Sequence, residues 1–239
     1  MNQKRFKAIL FDKDGTLVDF NGTWLALYEK LALEAAEGDA AEAERLLEIG
    51  GYDRAANAFT AGSELAAGTT DTIIRLWIGD ADAQRFAFWK ARMDRAFVED
   101  GPTAAVPVPG LAETLQVLHG EGRKLAVVTN DLEAAARRTI ENFGVAHLFS
   151  AFLGYDSVKN PKPAADPVHL ACKQLGVEPQ DAIVVGDNLH DLEMARSAGA
   201  GAAIGVLTGT GGRQELARQA DAVLASIAEL PRWLEETGR

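Results

Sequence analysis

The chain has 239 residues, of which 47% are hydrophobic, and its formal net charge is −11. This length accommodates a large domain with a smaller companion, and the apolar content is too high for a disordered chain. The acidity argues against nucleic acid and anionic membranes as partners, and the single cysteine, Cys172, excludes an internal disulfide and a Cys-rich zinc site. No apolar run is long enough for a signal peptide or a membrane span, so we expect a cytoplasmic protein.

The hydrophobic pattern of residues 7–110 changes from that of a strand to that of helices. The apolar run 7–11 predicts a buried strand that stops at a glycine-containing turn. From residue 19 to 97, apolar residues recur at helical spacing between glycine breaks, which predicts helices and no strand. A hinge rich in proline and glycine follows at 101–110.

Strands and helices alternate after this hinge. The pattern predicts helices at 111–119, 132–143, 166–175, 192–198 and 227–236, and strands at 124–128, 148–154, 182–185 and, as the last one, 202–206. Such alternation is typical of an α/β fold with a doubly wound parallel sheet that is covered by helices on both faces.

Polar side chains follow three of these strands directly. They are Asp12 and Asp14, Thr129 and Asn130, and Asp187. Ligands of open parallel sheets bind beyond the carboxyl ends of the strands, so these residues are candidates for one site. Asp12 and Asp14 point to the same side, and such a carboxylate pair, joined by Asp187, suits Mg²⁺. The alternative is that the two aspartates only form a turn and cap a helix.

Four segments, in this order, resemble the motifs of the haloacid dehalogenase-like (HAD) hydrolases, a family with a Rossmann-like core. They are FDKDGTLVD at 11–19, VVTN at 127–130, Lys162 within NPKPAADP, and GDNLHD at 186–191. The segments 107–118 and 220–230 also resemble the phosphoglycolate phosphatase-like branch. The sequence departs from the family pattern at Lys13, where an apolar residue is usual, at Asp131, where many relatives have lysine, and at Ala165, which replaces a proline.

This resemblance implies catalytic roles for the first two aspartates. Asp12 is the expected nucleophile, which forms an aspartyl-phosphate. Asp14 is the expected general acid and then the base that activates water. Family members that cleave carbon–halogen bonds lack the second aspartate, so Asp14 favours phosphoryl transfer. Mg²⁺ is expected on Asp12, Asp187 and the backbone carbonyl of Asp14.

The other motifs imply phosphate binding and charge balance. Thr129 and the backbone N–H of Asn130 are expected to bind the phosphate, although the Thr129 hydroxyl also suits a helix cap. Lys162 is expected to bind the phosphate and to offset its charge. Asp191 is expected to orient metal-bound water or Lys162, or else to be only an acid in the first turn of a helix.

The long segment between the first two motifs predicts a second domain. A β-α-β connection needs only about 30 residues. We therefore expect a core domain over 1–18 and 105–239 and an inserted all-helical cap domain over 19–104. Candidate carboxylate binders in this insert are Arg54, Arg75, Arg85, Arg92 and Arg95, each of which is more simply a solvated partner of nearby acids. The glycine-rich run 205–212 lacks the pattern of a nucleotide-binding loop.

The predicted function is a Mg²⁺-dependent phosphatase that acts on a small phosphorylated metabolite, with phosphoglycolate as the first guess from resemblance. Alternatives within the family are a phosphomutase or a phosphonate hydrolase. The hydrolase would need a cap lysine as Schiff base, for which the sequence offers Lys30 and Lys90. An alternative from another class is a protein that binds phosphorylated ligands without turnover. The sequence leaves open whether the protein is a monomer or a homodimer.

Overall fold

The computed structural model describes residues 6–79 and 82–238. Its strands are β1 (Ala8–Phe11), β2 (Tyr52–Asp53), β3 (Ala58–Phe59), β4 (Lys124–Val128), β5 (Phe149–Leu153), β6 (Ala182–Gly186), β7 (Ala202–Val206) and β8 (Ala222–Leu224). Its α-helices are α1 (Phe20–Ala35), α2 (Ala40–Ile49), α3 (Glu64–Ala67), α4 (Thr70–Ile78), α5 (Ala83–Glu99), α6 (Gly101–Ala104), α7 (Leu111–Gly120), α8 (Glu133–Asn142), α9 (Asp166–Leu175), α10 (Leu189–Ala198), α11 (Arg213–Leu216) and α12 (Leu230–Glu236).

Six strands form one parallel sheet in the order β5-β4-β1-β6-β7-β8. Alternate residues of β1 are buried on opposite faces. Ile9 and Phe11 lie in a cluster with residues of α7, α8 and α12, whereas Ala8 and Leu10 lie in a cluster with residues of α9 and α10. The predicted doubly wound α/β core is therefore confirmed.

The strand order reverses at β1, which pairs with β4 on one side and with β6 on the other. Ligand sites of doubly wound sheets lie outside the carboxyl ends of the strands at such a reversal. The register of the sheet aligns the carboxyl ends of β1, β4 and β6, because Phe11 is paired with both Val127 and Val185. The residues that follow β1, β4 and β6 therefore emerge side by side.

Residues between β1 and α6 have a hydrophobic cluster of their own. It joins aromatic and aliphatic side chains of α1, α2, α3, α4 and α5, with Leu31, Leu65, Ile74 and Met93 among its most buried members. The expectation of no strand here is wrong in one detail, since Tyr52 pairs with Phe59 in the two-residue strands β2 and β3. Strands this short show no period-2 alternation, so the sequence pattern does not reveal them. The domain boundaries at 18/19 and 104/105 stay a prediction.

At the C-terminal end the structure differs from two further predictions. Residues 202–206 were expected to be the last strand, but β8 follows and adds an edge strand. The helix predicted over 227–236 is a 3-10 turn, Ile227–Glu229, followed by α12. Pro231 does not break α12; it lies in the first turn, where its missing N–H costs no hydrogen bond.

None of the helices in the described ranges is long and apolar enough to cross a membrane. The cytoplasmic location stays a prediction. Cys172 is buried within α9, and its burial raises the pKa of the thiol to about 11.

Candidate active site

The carboxyl ends of β1, β4 and β6 bring the predicted residues Asp12, Thr129 and Asp187 to one edge of the sheet. The hydrogen bonds between parallel strands continue one residue beyond β1, since the N–H of Asp12 donates to the carbonyl of Val185 over 2.8 Å. The N–H of Thr129 likewise donates to the carbonyl of Leu153 over 2.9 Å. The side chains that follow these strands are thus fixed by sheet register.

Lys162 joins two of the aspartates. Its Nζ lies 2.7 Å from Oδ1 of Asp12 and 2.5 Å from Oδ1 of Asp191. All three residues are buried, with exposed fractions of 8% for Asp12, 6% for Lys162 and 2% for Asp191. The second carboxylate oxygen of Asp191 accepts a hydrogen bond from the N–H of Asn188. Asp191 therefore contacts Lys162 and also closes the first turn of α10, whereas its functional role stays a prediction.

Asp187 completes a cluster of three carboxylates with Asp12 and Asp191, in which one oxygen of each lies within 4.8 Å of the others. Three buried carboxylates face one ammonium group, and a divalent cation would bring this buried charge close to neutrality. The carboxylates of Asp12, Asp187 and Asp191 are therefore suitable ligands for a metal ion. The carboxylate of Asp14, by contrast, does not belong to this cluster and points elsewhere.

Burial dominates the electrostatics of this cluster. Burial, reinforced by Asp191 and Asp14 and opposed by Lys162, raises the pKa of Asp12 to about 7. Burial and the neighbouring carboxylates raise the pKa of Asp187 well above its usual value. For Lys162 burial works in the opposite direction, but Asp12 and Asp191 outweigh it and raise the pKa of the ammonium group. Asp12 and Asp187 thus resist ionisation unless a cation compensates them.

Asp14 is held by contacts that the sequence did not reveal. Its Oδ2 lies 2.8 Å from Nζ of Lys13, and its Oδ1 accepts a 2.6 Å hydrogen bond from the indole N–H of Trp24. Lys13 also pairs with Asp131, whose Oδ2 is 2.9 Å away, and its ammonium group lies 4.8 Å from the centre of the Trp24 ring. Burial alone would lower the pKa of Lys13, yet Asp131 and Asp14 outweigh it and raise that pKa. The two departures from the family pattern at 13 and 131 are therefore one ion pair.

The second motif contributes a hydroxyl and an amide. The Oγ1 of Thr129 accepts a hydrogen bond from the N–H of Asp131 at 3.1 Å, which leaves the hydroxyl proton available to a ligand. The side chain of Asn130 bonds to the backbone of Lys162 and donates to the carbonyl of Ala67 at 2.9 Å. Asn130 thus links the loop of Lys162 to the insert.

The glycine-rich run 205–212 has a role that the sequence analysis missed. The N–H of Thr210 donates to Oδ2 of Asp187 at 2.8 Å, and the hydroxyl of Thr208 donates to the carbonyl of Gly15 at 2.7 Å. A Cβ at Gly209 would lie 2.0 Å from Oδ2 of Asp187, so only glycine permits this approach. A glycine-rich loop directly after a strand was the available signal, and it indicates close backbone approach as readily as a nucleotide loop.

These residues and the insert enclose one pocket. The end at the carboxylate cluster is lined by Asp12, Asp14, Thr129, Asn130, Asp131, Lys162, Asp187, Asn188, His190 and Asp191, and the other wall by Phe20, Trp24, Tyr28, Leu65, Ala66, Ala67, Gly68, Thr70, Ile73 and Phe97. None of the five candidate arginines lies in this wall. Lys30 and Lys90 also lie elsewhere, since Lys30 pairs with Asp100 while Lys90 pairs with Asp71 and Tyr155.

Comparison with known proteins gives the same family that the motifs indicated. The family model described as haloacid dehalogenase-like hydrolase matches residues 6–199. The chain is 30% identical over 230 residues to the pyrophosphatase PpaX of Bacillus velezensis, covering 96% of this chain and 97% of the relative. It is 32% identical to the phosphoglycolate phosphatase of Salmonella typhimurium, covering 82% and 79%. The crystal structure of a predicted phosphoglycolate phosphatase from Haemophilus somnus superposes with a TM-score of 0.72 at 28% identity, covering 95% and 97%. With its motifs gathered at one sheet edge and its family model matched over most of its length, the chain belongs to the haloacid dehalogenase-like hydrolases.

Proposed function

We propose that this protein is a Mg²⁺-dependent phosphatase that hydrolyses small phosphomonoesters through an aspartyl-phosphate on Asp12. The observation that carries the proposal is the buried contact of 2.7 Å between Lys162 and Asp12, with Asp187 and Asp191 in the same cluster. A nucleophilic carboxylate beside a fixed ammonium group and a cation site is the arrangement that phosphoryl transfer requires.

Two displacements at phosphorus account for the reaction. In the first, a carboxylate oxygen of Asp12 bonds to phosphorus while the ester oxygen leaves and takes a proton from Asp14. In the second, Asp14 accepts a proton from water, whose oxygen bonds to phosphorus and releases phosphate from Asp12. Asp14 suits this role because it lines the same pocket as Asp12.

Other side chains bind and orient the phosphoryl group. The hydroxyl proton of Thr129 and the ammonium group of Lys162 face the pocket and would bind phosphoryl oxygens. Asp191 keeps Lys162 in place, and Asn130 fixes the loop that carries it. The insert closes the pocket through the bond between Asn130 and Ala67, which limits the access of bulk water.

Asp12 and Asp187, together with the backbone carbonyl of Asp14, would hold the Mg²⁺ ion. Bound there, the cation supplies positive charge that offsets repulsion between the nucleophile and the phosphate dianion. The raised pKa values of Asp12 and Asp187 support the assignment, because groups that resist ionisation without a cation are those that a cation would stabilise.

The test is hydrolysis of p-nitrophenyl phosphate with Mg²⁺ and with EDTA. The proposal expects turnover that depends on Mg²⁺, disappears in Asp12→Asn, and is preceded by a hydroxylamine-labile phosphoryl adduct on Asp12. The matched control is Asp39→Asn, because Asp39 is an exposed helix cap and asparagine also caps helices. Undiminished turnover by Asp12→Asn would refute the nucleophile. Phosphate binding without turnover would instead favour the non-catalytic alternative.

The phosphonate hydrolase alternative has less support. It needs a lysine that reaches the substrate as a Schiff base, and neither Lys30 nor Lys90 lines the pocket. Both lysines are paired with carboxylates.

The phosphomutase alternative is distinguished by its product. Accumulation of a phosphorylated isomer in place of free phosphate would identify a phosphomutase.

A further inference from the structure

We propose that the pocket selects phosphomonoesters whose leaving group is uncharged and mainly apolar, and discriminates against leaving groups that carry a carboxylate or a second phosphate. This inference rests on the proposed phosphatase function and adds its substrate class. It differs from the activities in the names of the two relatives, since phosphoglycolate and pyrophosphate both have a charged leaving group.

The wall opposite the carboxylate cluster is apolar. It is formed mainly by the side chains of Phe20, Trp24, Tyr28, Leu65, Ile73 and Phe97. The exposed fractions of these side chains are all below 10%, so the wall is rigidly packed from behind. An aliphatic or aromatic leaving group would bury its surface against this wall when the insert is closed.

The two polar groups in this aromatic wall are already occupied. The indole N–H of Trp24 donates to Asp14, and the hydroxyl of Tyr28 donates to the carbonyl of Leu65 over 3.1 Å. Burial raises the pKa of Tyr28 well above its usual value, so the phenol stays neutral. Neither group is free to bind an anionic substituent.

The two lysines beside the carboxylates of the pocket are already paired. Lys162 is shared by Asp12 and Asp191, and Lys13 is shared by Asp14 and Asp131. Cationic side chains of the insert pair on other surfaces: Arg54 with Glu44, Arg92 with Glu34, Lys30 with Asp100, and Lys90 with Asp71. A substrate carboxylate would therefore enter the pocket without a partner, and an unpaired buried charge is strongly disfavoured.

The carboxylates of the pocket add repulsion. Asp14 and Asp131 line it together, with one lysine between them. Apart from the hydroxyl of Thr129, which the proposed function assigns to the phosphoryl group, the pocket offers Nδ1 of His190, which has no hydrogen-bond partner among the described residues. A single imidazole nitrogen suits one hydroxyl or ether oxygen, but it is not the pair of donors that holds a carboxylate in place.

The test varies the charge of the leaving group at nearly constant shape and, separately, its apolar length. With Mg²⁺ present, kcat/KM is measured for phosphoglycolate and for its amide, 2-phosphoglycolamide, and for pyrophosphate. It is also measured for the series from ethyl to butyl phosphate. We expect the amide to exceed phosphoglycolate by about ten-fold or more. We also expect the alkyl series to rise about four-fold per methylene until the wall is covered.

A variant pair adds an independent readout. Ala66 is partly exposed and lines the pocket, so Ala66→Arg introduces a guanidinium group there. Ala66→Arg should raise kcat/KM for phosphoglycolate relative to the amide, whereas Ala66→Met, of similar length without charge, should not.

Two outcomes separate this inference from the proposed function. If p-nitrophenyl phosphate is hydrolysed with Mg²⁺ but phosphoglycolate or pyrophosphate matches or exceeds the neutral substrates, the substrate class is wrong and the phosphatase stands. If no phosphate ester is hydrolysed with dependence on Asp12, the proposed function is wrong and the substrate class is refuted with it.

Discussion

Replacing Lys13 with methionine tests whether this lysine holds Asp14 and Asp131 together. Lys13 is 1% exposed, and its Nζ lies 2.8 Å from Asp14 and 2.9 Å from Asp131. The two carboxylate oxygens are therefore no more than about 6 Å apart, and without the lysine they repel by roughly 3 kcal/mol at an effective dielectric constant of about 20. Removing one partner of a buried ion pair costs about 3–5 kcal/mol in total, so we expect Lys13→Met to lose that much stability.

A double-mutant cycle isolates the pair. In Lys13→Met/Asp131→Asn the second carboxylate is gone, and Asp14 keeps its bond to Trp24. We expect the double variant to recover to within about 2 kcal/mol of the parent, which gives a coupling energy above about 1 kcal/mol between the two positions. Urea unfolding measures the stability of each variant, from which the coupling energy follows. The matched control is Lys7→Met, because Lys7 is 51% exposed in its pair with Asp181 and should lose less than about 1 kcal/mol.

The same variant also has a catalytic readout. A poor leaving group such as butanol needs the proton of Asp14, whereas p-nitrophenol leaves readily without it. Lys13→Met should therefore lower kcat for butyl phosphate at least about ten-fold more than kcat for p-nitrophenyl phosphate. Parental stability of Lys13→Met, or equal losses on both substrates, would show that Lys13 does not position Asp14.

Metal binding and glycine packing give the remaining predictions. Because burial raises the pKa of Asp12 to about 7 and also raises that of Asp187, the folded state binds more protons than the unfolded chain, and metal-free protein should lose stability as pH rises from about 4 to 7. Mg²⁺ should therefore raise the melting temperature more at pH 7.5 than at pH 5.5, and an equal increase at both would contradict the assignment. Gly186→Ala should lower kcat at least about ten-fold, since the added Cβ would lie 2.2 Å from Oδ2 of Asp191, whereas Gly212→Ala, with no atom within 4 Å, should be neutral. Unchanged kcat in Gly186→Ala would show that the position of Asp191 is unimportant.

The sequence predicted the parts of the site that depend on strand register. An apolar run that ends in Asp12, Thr129 or Asp187 identifies both a strand and its polar end, and parallel pairing then brings these ends together. The contact between Lys13 and Asp131 was not predictable, because the two residues lie far apart in sequence and each reads only as a departure from the family pattern. The bond between Trp24 and Asp14 was not predictable for a related reason, since the helical spacing of Trp24 indicates only that it packs in the core of the insert.

The distribution of charge indicates where a cation would bind in a pocket lined by five aspartates. Each of two lysines bridges two carboxylates, Lys162 on the side of Asp12 and Lys13 on the side of Asp14. Asp187 accepts hydrogen bonds from the N–H and hydroxyl of Thr210 but pairs with no lysine in the described part of the chain, so the uncompensated charge is concentrated beside Asp12. A divalent cation is therefore attracted to the position where a phosphoryl group would be attacked. On the other side, Lys13 is paired with two carboxylates, so on the proposed function it would offer no unpaired positive charge to a second anionic group of a substrate.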